Sequence, residues 1–453
     1  MAENTKKATE GVEISSKKDS EIKKKIKNIL GLKEEIKQSA LKNVSELLEV
    51  ILGGAMNLDS SDVHIEAEEQ QAKIRVRNDG ILQDVTTLAR EVYEKILSRI
   101  KLLSGIKLNI TDRPQDGRFS VFVGELTVAE TPSHLPPHPA SRGSVIEIRV
   151  STLPSEYGES VVLRILNPKS LINLDALGLR ADLLNLFKKE IKKPNGMIIV
   201  TGPTGSGKTT TLYAFLKQID KPEIKIITIE DPIEYHLEGI SQTQVNPARG
   251  YDFATGLQSI MRQDPDVILV GEIRDSKTCQ IALQAALTGH LVFSTLHTND
   301  AAGTVARLTS LEGNLVNIGP AINLAIAQRL VRKICPKCVQ LKTPGAQDLT
   351  KIKKALSGIS KTVKAPKVTS KLKIPQAKGC KQCNFTGYRG RIGIFEAILI
   401  DDDMEGFILK NPSIAAFKAE AIKKGMSTIY QDGIIKVLEG LTTIEEVERV
   451  TGE

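Results

Sequence analysis

Two regimes of apolar spacing divide the chain. In "VSELLEVILGGAMNL", residues 44–58, apolar positions recur every three to four residues, which predicts a helix. "DVHIEAE" and "AKIRVRNDGIL" then alternate, which predicts a strand hairpin. "YEKILSRIKLLSGI" returns to helical spacing. "GRFSVFVGELTV", "SVIEIRVSTLP" and "SVVLRIL" read as further strands. Residues 43–168 are therefore expected to form an α+β domain. After "LINLDALGL" the pattern changes. Short apolar runs ("GMIIVTG", "IKIITIE", "PDVILVGE", "HLVFSTLH") alternate with helical stretches ("KTTTLYAFLKQI", "FATGLQSIMRQ", "DSKTCQIALQAALTG"). Such alternation predicts a mostly parallel α/β sheet over residues 169–327.

The remaining segments are less regular. Residues 328–392 hold four cysteines and a Lys-rich loop, and residues 393–453 read mainly as short helices. The insert "ETPSHLPPHPASRG", residues 130–143, must be a loop, with His134 and His138 as a solvated pair. Residues 1–42 are rich in Lys, Glu and Ser, and the first 20 are expected to be disordered. Within them "IKKKIKNILGLKEEIK" suits a basic amphipathic helix facing a membrane or a partner. A solvated tail with a frayed helix fits the same residues equally well.

Composition narrows the function classes. No apolar run approaches the roughly 18 residues of a membrane span. The N-terminus carries Lys without the apolar core of a secretory leader, so a cytoplasmic location is expected. Five cysteines in such a chain point to metal or thiol chemistry rather than disulfides. The net charge of +8 permits nucleic acid, anionic lipid or acidic protein partners and selects none. An aromatic content of 4% without Trp disfavours single-strand recognition by stacking.

The strongest chemical signal is "GPTGSGKTT". It follows the apolar run "MIIV" and precedes a helical stretch, the setting that G-x-x-x-x-G-K-[ST] needs. Gly202, Pro203, Thr204, Gly205, Ser206 and Gly207 would wrap phosphate oxygens with backbone N–H groups at a helix N-terminus. Lys208 would reach the β and γ phosphates. Thr209, followed by Thr210, would ligate Mg²⁺. A second apolar strand, "DVILVGE", ends in Glu272 at the sheet edge where ligands bind. Common phosphate-loop enzymes carry Asp directly before this acid. Gly271 stands here, so metal support is expected partly from elsewhere. "ITIEDPIEY" offers Glu230 and Asp231. One of these acids would polarise the attacking water and another would hold the metal shell; the sequence leaves that division open. Singly, each reads as a cap or a surface charge, but three acids after apolar strands do not. "TGHLVFSTLHTND" sets His290 and His297 on either side of a short strand. His297, at its C-terminal end, is placed to sense the γ-phosphate. Geometry favours His290 less. Cys279, in a helical run, reads as a small buried hydrophobe.

"ICPKC" and "GCKQC" form two C-x-x-C pairs, Cys335 with Cys338 and Cys380 with Cys383. Four thiolates in two knuckles suit tetrahedral Zn²⁺. The competing reading is a pair of redox dithiols, and neither pair has a thioredoxin-like context. Zinc would pin both ends of the Lys-rich loop 339–379.

In this order, the boxes resemble the type II secretion and type IV pilus assembly ATPases, a branch of the secretion ATPase superfamily. The resemblance covers roughly residues 43–453. "GPTGSGKTTTLY" is similar to that family's Walker A, "IITIEDPIEY" to its Asp box, "RQDPDVILVGEIRD" to its Walker B and "TGHLVFSTLHTNDA" to its His box. It implies a RecA-like P-loop ATPase core, preceded by a PAS-like α+β domain. A tetracysteine zinc-binding insertion and a small helical C-terminal region complete that arrangement. "SSDVHIE", "PQDGR" and "IEIRVSTLPSEYGESVVLRIL" resemble the PAS-like domain, which in the family sets two arginines against the γ-phosphate. By motif these are Arg149 and Arg164. A guanidinium carries a fixed charge and a forked donor set suited to that task. Without the resemblance both would read as solvated strand arginines. The resemblance also brings His290 and Arg307 to the nucleotide, and gives Arg262, Arg274, Arg329 and Arg332 as clamps between domains or subunits. Surface ion pairs are their plainer reading.

Some positions depart from the family. Gln258 stands where many relatives have Arg, and the Pro-rich insert is unusual. Only residues 1–42 precede the PAS-like domain, so the larger first domain of many relatives is expected to be missing. The function implied is an ATP-hydrolysing homohexamer with ATP, Mg²⁺ and Zn²⁺. It would power type IV pilus or type II secretion pseudopilus assembly at the cytoplasmic face of the inner membrane. Its partner would be a platform protein, with no specific nucleic acid. The phosphate loop and basic charge alone would also allow a nucleic-acid-translocating motor. A dead scaffold is disfavoured by the intact Lys208, Thr209 and Glu272. Retraction motors typically lack the cysteine pairs.

Overall fold

The computed structural model describes residues 11–124, 144–167, 172–312, 314–360 and 362–452. It divides into two units, residues 1–168 with 380–385 and residues 169–379 with 386–453. In the first unit, β1 (Gly11–Ile14), α1 (Ser16–Lys25), α2 (Ile29–Ala40) and α3 (Val44–Asn57) come first. They are followed by β2 (Ser60–Ala67), β3 (Gln71–Asn78), β4 (Ile81–Ala89), α4 (Arg90–Leu103), β5 (Gln115–Val123), β6 (Ser144–Ser155) and β7 (Gly158–Leu166). The strands form one sheet in the order β1-β5-β6-β7-β2-β3-β4. The β1–β5 pair is parallel and the others are antiparallel. Alternation sorts the side chains. Val63, Ile65, Ile74, Val76, Ile148 and Leu163 pack with Leu47, Ile51, Ile96 and Ile100 of α3 and α4. Asp62, Arg77, Arg149 and Arg164 occupy the intervening positions and project from the opposite face.

The N-terminal segment overturns its expectation. Residues 11–40 belong to this core rather than to a solvated tail. Val12 and Ile14 of β1, Ile22 and Ile26 around α1, and Leu32 and Ile36 of α2 are all buried in it. The single basic helix expected over "IKKKIKNILGLKEEIK" is two helices. The Asn28 side chain starts the second by accepting from the Gly31 N–H at 2.9 Å, which satisfies an otherwise unpaired donor. The insert 130–143, with His134 and His138, lies outside the described residues.

The second unit begins with α5 (Ala181–Glu190), β8 (Gly196–Thr201), α6 (Lys208–Ile219), β9 (Ile226–Glu230), β10 (Ser241–Gln244), α7 (Phe253–Ile260) and β11 (Val267–Val270). Next come α8 (Ser276–Leu287), β12 (Leu291–Leu296), α9 (Ala301–Glu312), α10 (Leu315–Ala321), β13 (Ile322–Ile334), β14 (Val339–Lys342), α11 (Ala346–Leu356), β15 (Ile374–Ala377) and β16 (Tyr388–Leu399). Helices α12 (Asp402–Ile408), α13 (Ile414–Lys423), α14 (Ile429–Leu438) and α15 (Ile444–Thr451) close the chain. The main sheet has the order β10-β9-β11-β12-β8-β13-β16. It is parallel except at β13–β16. Both faces are covered, which is why its strands read as continuous apolar runs. Met197 and Ile199 of β8 enter one core with Ala282 and Leu283 of α8. Ile198 and Val200 enter the other with Phe187 of α5 and Phe215 of α6.

The boundaries expected at 327/328 and 392/393 fall inside strands of this sheet. β16 is the edge strand of this sheet and β13 its neighbour, so the cysteine insertion is confined between them. Gln328, Arg329 and Arg332 interrupt the apolar run of β13, which conceals it from pattern reading. Among the described residues, no helix is long and apolar enough to cross a membrane.

Candidate active site and metal centre

The phosphate loop joins β8 to α6. Gly202 and Gly207 have φ of +149° and +88°, values that favour glycine. A Cβ on Gly207 would stand 2.8 Å from Gln328 Nε2, and one on Gly202 2.5 Å from the Gln328 carbonyl oxygen. The loop is therefore moulded against β13, and Gln328 is its prop. Its Oε1 accepts from Thr211 Oγ1 of α6 at 2.7 Å. Sequence reading missed Gln328; a polar residue inside an apolar strand was the available signal. Ser206 Oγ is buried without a hydrogen-bond partner among the described residues, a donor suited to a phosphate oxygen. Lys208 Nζ donates to the Gly202 and Pro203 carbonyls at 2.9 and 3.2 Å. Thr209 follows it in the first turn of α6.

Acids from two of the sequence boxes act electrostatically on this lysine. Burial lowers the Lys208 pKa, Glu272 and Glu234 act in the opposite sense, and Arg329 adds to the lowering. Glu272 follows β11, is nearly buried and pairs with Arg274 Nη2 at 2.6 Å. His297 Nε2 lies 3.5 Å from Glu272 Oε2. Burial, then the Lys208 charge, hold the His297 pKa below its ordinary 6.5. Gly271, where an Asp is common, donates its N–H to the Ile229 carbonyl at 2.8 Å. A Cβ there would meet that carbonyl at 3.2 Å. Close strand packing explains the glycine.

Glu230 does not present itself to this site. It is buried; Oε2 accepts from Tyr213 OH, and Oε1 from Thr228 Oγ1 at 2.6 Å and Gln242 Nε2 at 3.2 Å. Those bonds occupy the oxygens that would have to take a proton from water. Glu230, expected as a candidate base, is held here by three side-chain donors. Glu234, four residues on in the same box, is half-buried and acts electrostatically on Lys208. Asp231 is exposed beside it. His290, expected beside the nucleotide, lies at the other end of β12. It precedes β12, where Nδ1 lies 3.1 Å from the Ala285 carbonyl oxygen and its own carbonyl accepts from Gly196 at 3.2 Å. The length of β12, about 20 Å, separates it from the phosphate-loop edge of its own chain.

The arginines divide. Arg329 Nη2 donates to the Asn299 carbonyl at 2.5 Å near the loop. Arg307 approaches the Arg274 carbonyl at 3.5 Å. Arg262 bonds Ser259 at 3.2 Å. Arg332 instead ties β13 to α15 through Glu446 at 2.7 Å and lies over the Tyr388 ring. In the first unit, Arg149 and Arg164 are directly opposed across β6 and β7.

The four cysteine sulfurs lie within 4.8 Å of one another. Cys380 Sγ and Cys383 Sγ are 3.7 Å apart, too far for a disulfide. That spacing matches the edge of a tetrahedron with Zn–S bonds of about 2.3 Å. The Cys380 N–H donates to Cys383 Sγ at 3.2 Å, the knuckle geometry that stabilises a thiolate.

The sequence matches the family model described as "Type II/IV secretion system protein" over residues 37–145 and 138–449. The chain belongs to this family. This secretion ATPase is 45% identical over 413 residues to "Type II secretion system protein E" of Pectobacterium carotovorum, covering 90% of this chain and 76% of that protein. It is 43% identical over 413 residues to "Type II secretion system ATPase E" of Vibrio cholerae, with the same 90% and 76% coverage. It is 40% identical over 390 residues to "Type IV pilus assembly ATPase PilB" of Thermus thermophilus, covering 86% of this chain and 41% of that protein. Its fold is shared with the Legionella pneumophila ATPase DotB, with a TM-score of 0.60 at 21% identity over 89% of this chain and 94% of that one. The ADP-bound pilus retraction motor PilT gives 0.56 at 24% identity, over 89% and 96%. These relatives fit an ATPase of the secretion class and not a nucleic-acid translocase.

Proposed function

We propose that this secretion ATPase works as a homohexamer powering assembly of a type IV pilus or a type II secretion pseudopilus. It acts at the cytoplasmic face of the inner membrane through a platform protein. The observation that carries this reading is the meeting of Lys208, Glu272 and His297 at the phosphate loop of a chain so similar to secretion protein E. The loop N–H groups, Ser206 and Lys208 hold the β and γ phosphates. Thr209 and Glu272 would hold a magnesium ion, which would shield phosphate charge. Glu234 orients a water and takes its proton as the water oxygen bonds to the γ-phosphorus. The bridging P–O bond breaks, and ADP leaves with those electrons. Neutral His297 donates a hydrogen bond to the γ-phosphate and reports its presence to Glu272. Arg149 and Arg164 are the arginines that would meet the charge developing in the reaction. Zinc on Cys335, Cys338, Cys380 and Cys383 has a structural role, tying down the ends of the insertion.

Replacing the gene with the Lys208→Ala form in the source cell tests the proposal. Loss of surface fibres identifies pilus assembly, and loss of exported protein identifies secretion. Retention of both would refute the reading.

A further inference from the structure

Strand β8 lies between β12 and β13 in the main sheet, and the phosphate loop springs from its C-terminal end. The segment that carries His297 leaves β12 on one side of that end. Arg329 stands on β13 on the other side, just past Ala327, whose register partner Thr201 is the last residue of β8. The Arg329 side chain crosses the gap. Its Nη1 donates to the Gln328 carbonyl at 3.0 Å and its Nη2 to the Asn299 carbonyl at 2.5 Å. A Cβ on Gly202 would stand 3.1 Å from Nη1. The guanidinium therefore lies against the loop where it leaves the strand.

Stability gives little reason for a cation here. Arg329 is half-buried. Glu396 and Asp300 attract it through charge without a hydrogen bond. Both acids are engaged elsewhere. Glu396 accepts from the Ala301 N–H at 2.8 Å and the Ile429 N–H at 3.0 Å, and Asp300 pairs with Lys418 at 3.0 Å. Burying a charge that no carboxylate directly pairs is unfavourable. The Arg329 charge also opposes the protonated form of Lys208. What a guanidinium supplies is two donors in a rigid fork, and here each meets a main-chain carbonyl. A second tie runs beside it: Thr201 Oγ1 accepts from the Thr298 N–H at 2.8 Å. Thr298 and Asn299 directly follow His297, so the two ties fix the path of that segment.

We propose that Arg329 is a positioning residue, whose fork braces the segment after His297 against the phosphate loop and so holds the imidazole beside Glu272 and Lys208. This rests on the reading that His297 acts on the γ-phosphate. Arg329 touches no reacting atom in this scheme. Its terminal amino groups hold backbone, and it acts through His297.

A double-mutant cycle on the full chain tests it, with ATP turnover and thermal melting measured for Arg329→Ala, Arg329→Lys, His297→Ala and the Arg329→Ala/His297→Ala pair. Arg329→Ala is expected to lower kcat by about ten- to a hundredfold and to change KM by less than about threefold. Arg329→Lys keeps the charge and loses the fork, so it is expected to recover less than about threefold of that loss. It also carries the cycle if Arg329→Ala fails to fold. In the His297→Ala background the loss of Arg329 is expected to cost less than about threefold. Wild-type turnover in Arg329→Lys would show that charge alone suffices and overturn the proposal. A raised KM at unchanged kcat would make Arg329 a nucleotide-binding group and overturn it too. An equal loss in both backgrounds would show that Arg329 acts independently of His297, with the same consequence. Wild-type turnover in His297→Ala would defeat the reading of His297 itself, and this proposal with it.

Discussion

Glu230 and Glu234 sit four residues apart in one acidic box, yet they face different surroundings. Tyr213, Thr228 and Gln242 enclose Glu230, and burial followed by the Glu230 charge drives the Tyr213 pKa upward. Glu234 instead acts on Lys208. Glu234→Gln is expected to lower kcat by about 10²- to 10⁴-fold, the scale of a lost general base. Glu230→Gln is expected to lower the melting temperature while folded protein keeps most of its turnover. The reverse pattern in purified variants would restore Glu230 as base. Lys208→Ala is expected to abolish turnover, and Glu272→Gln to retain bound ATP without hydrolysis. The phosphate loop, Glu272 and His297 were legible because each sits at the end of an apolar run. The choice between the two glutamates was not, because it depends on a tyrosine on another element that no local spacing encodes.

Helix α14 is fixed by charge as well as by packing. Fully buried Asp432 accepts from Arg180 Nη1 at 2.7 Å, the Phe395 N–H at 2.8 Å and Lys436 Nζ at 3.2 Å. It thus pins α14 to β16 and to the start of α5. Asp432→Ala leaves buried Lys436 without its ion-pair partner and Arg180 with Asp182 alone, and is expected to cost about 3–5 kcal/mol in denaturant melts. Glu446, in the first turn of α15, supplies a pH-dependent counterpart. Burial alone would raise its pKa, but Arg449 and Arg332 outweigh burial and hold it below its ordinary 4.5. A carboxyl depressed by folding stabilises the fold above its unfolded pKa and loses that contribution as pH falls through the folded value. The advantage of wild type over Glu446→Gln is therefore expected to be full at neutral pH and to shrink below pH 4.5. Most strands were legible from alternation or apolar runs. β1 was hidden, and the burial of α1 and α2 was missed, because lysines on their outer positions gave this segment the composition of a tail. β13 was hidden by the polar residues that support the loop and α15.

The two sheet classes and the cysteine cluster followed from patterns spread along the whole chain. Pairing of the two cysteine knuckles needed the fold to bring Cys335 and Cys338 to Cys380 and Cys383. One zinc per chain is expected by metal analysis of protein purified without chelator, and a content near zero would remove the structural metal. Work at the membrane is a property of the assembled machine, and ATP hydrolysis by the purified chain reads it most directly. Turnover should rise with the cytoplasmic part of the cognate platform protein, remain unchanged with DNA, and vanish in Lys208→Ala. Stimulation by DNA without stimulation by the platform protein would contradict the account.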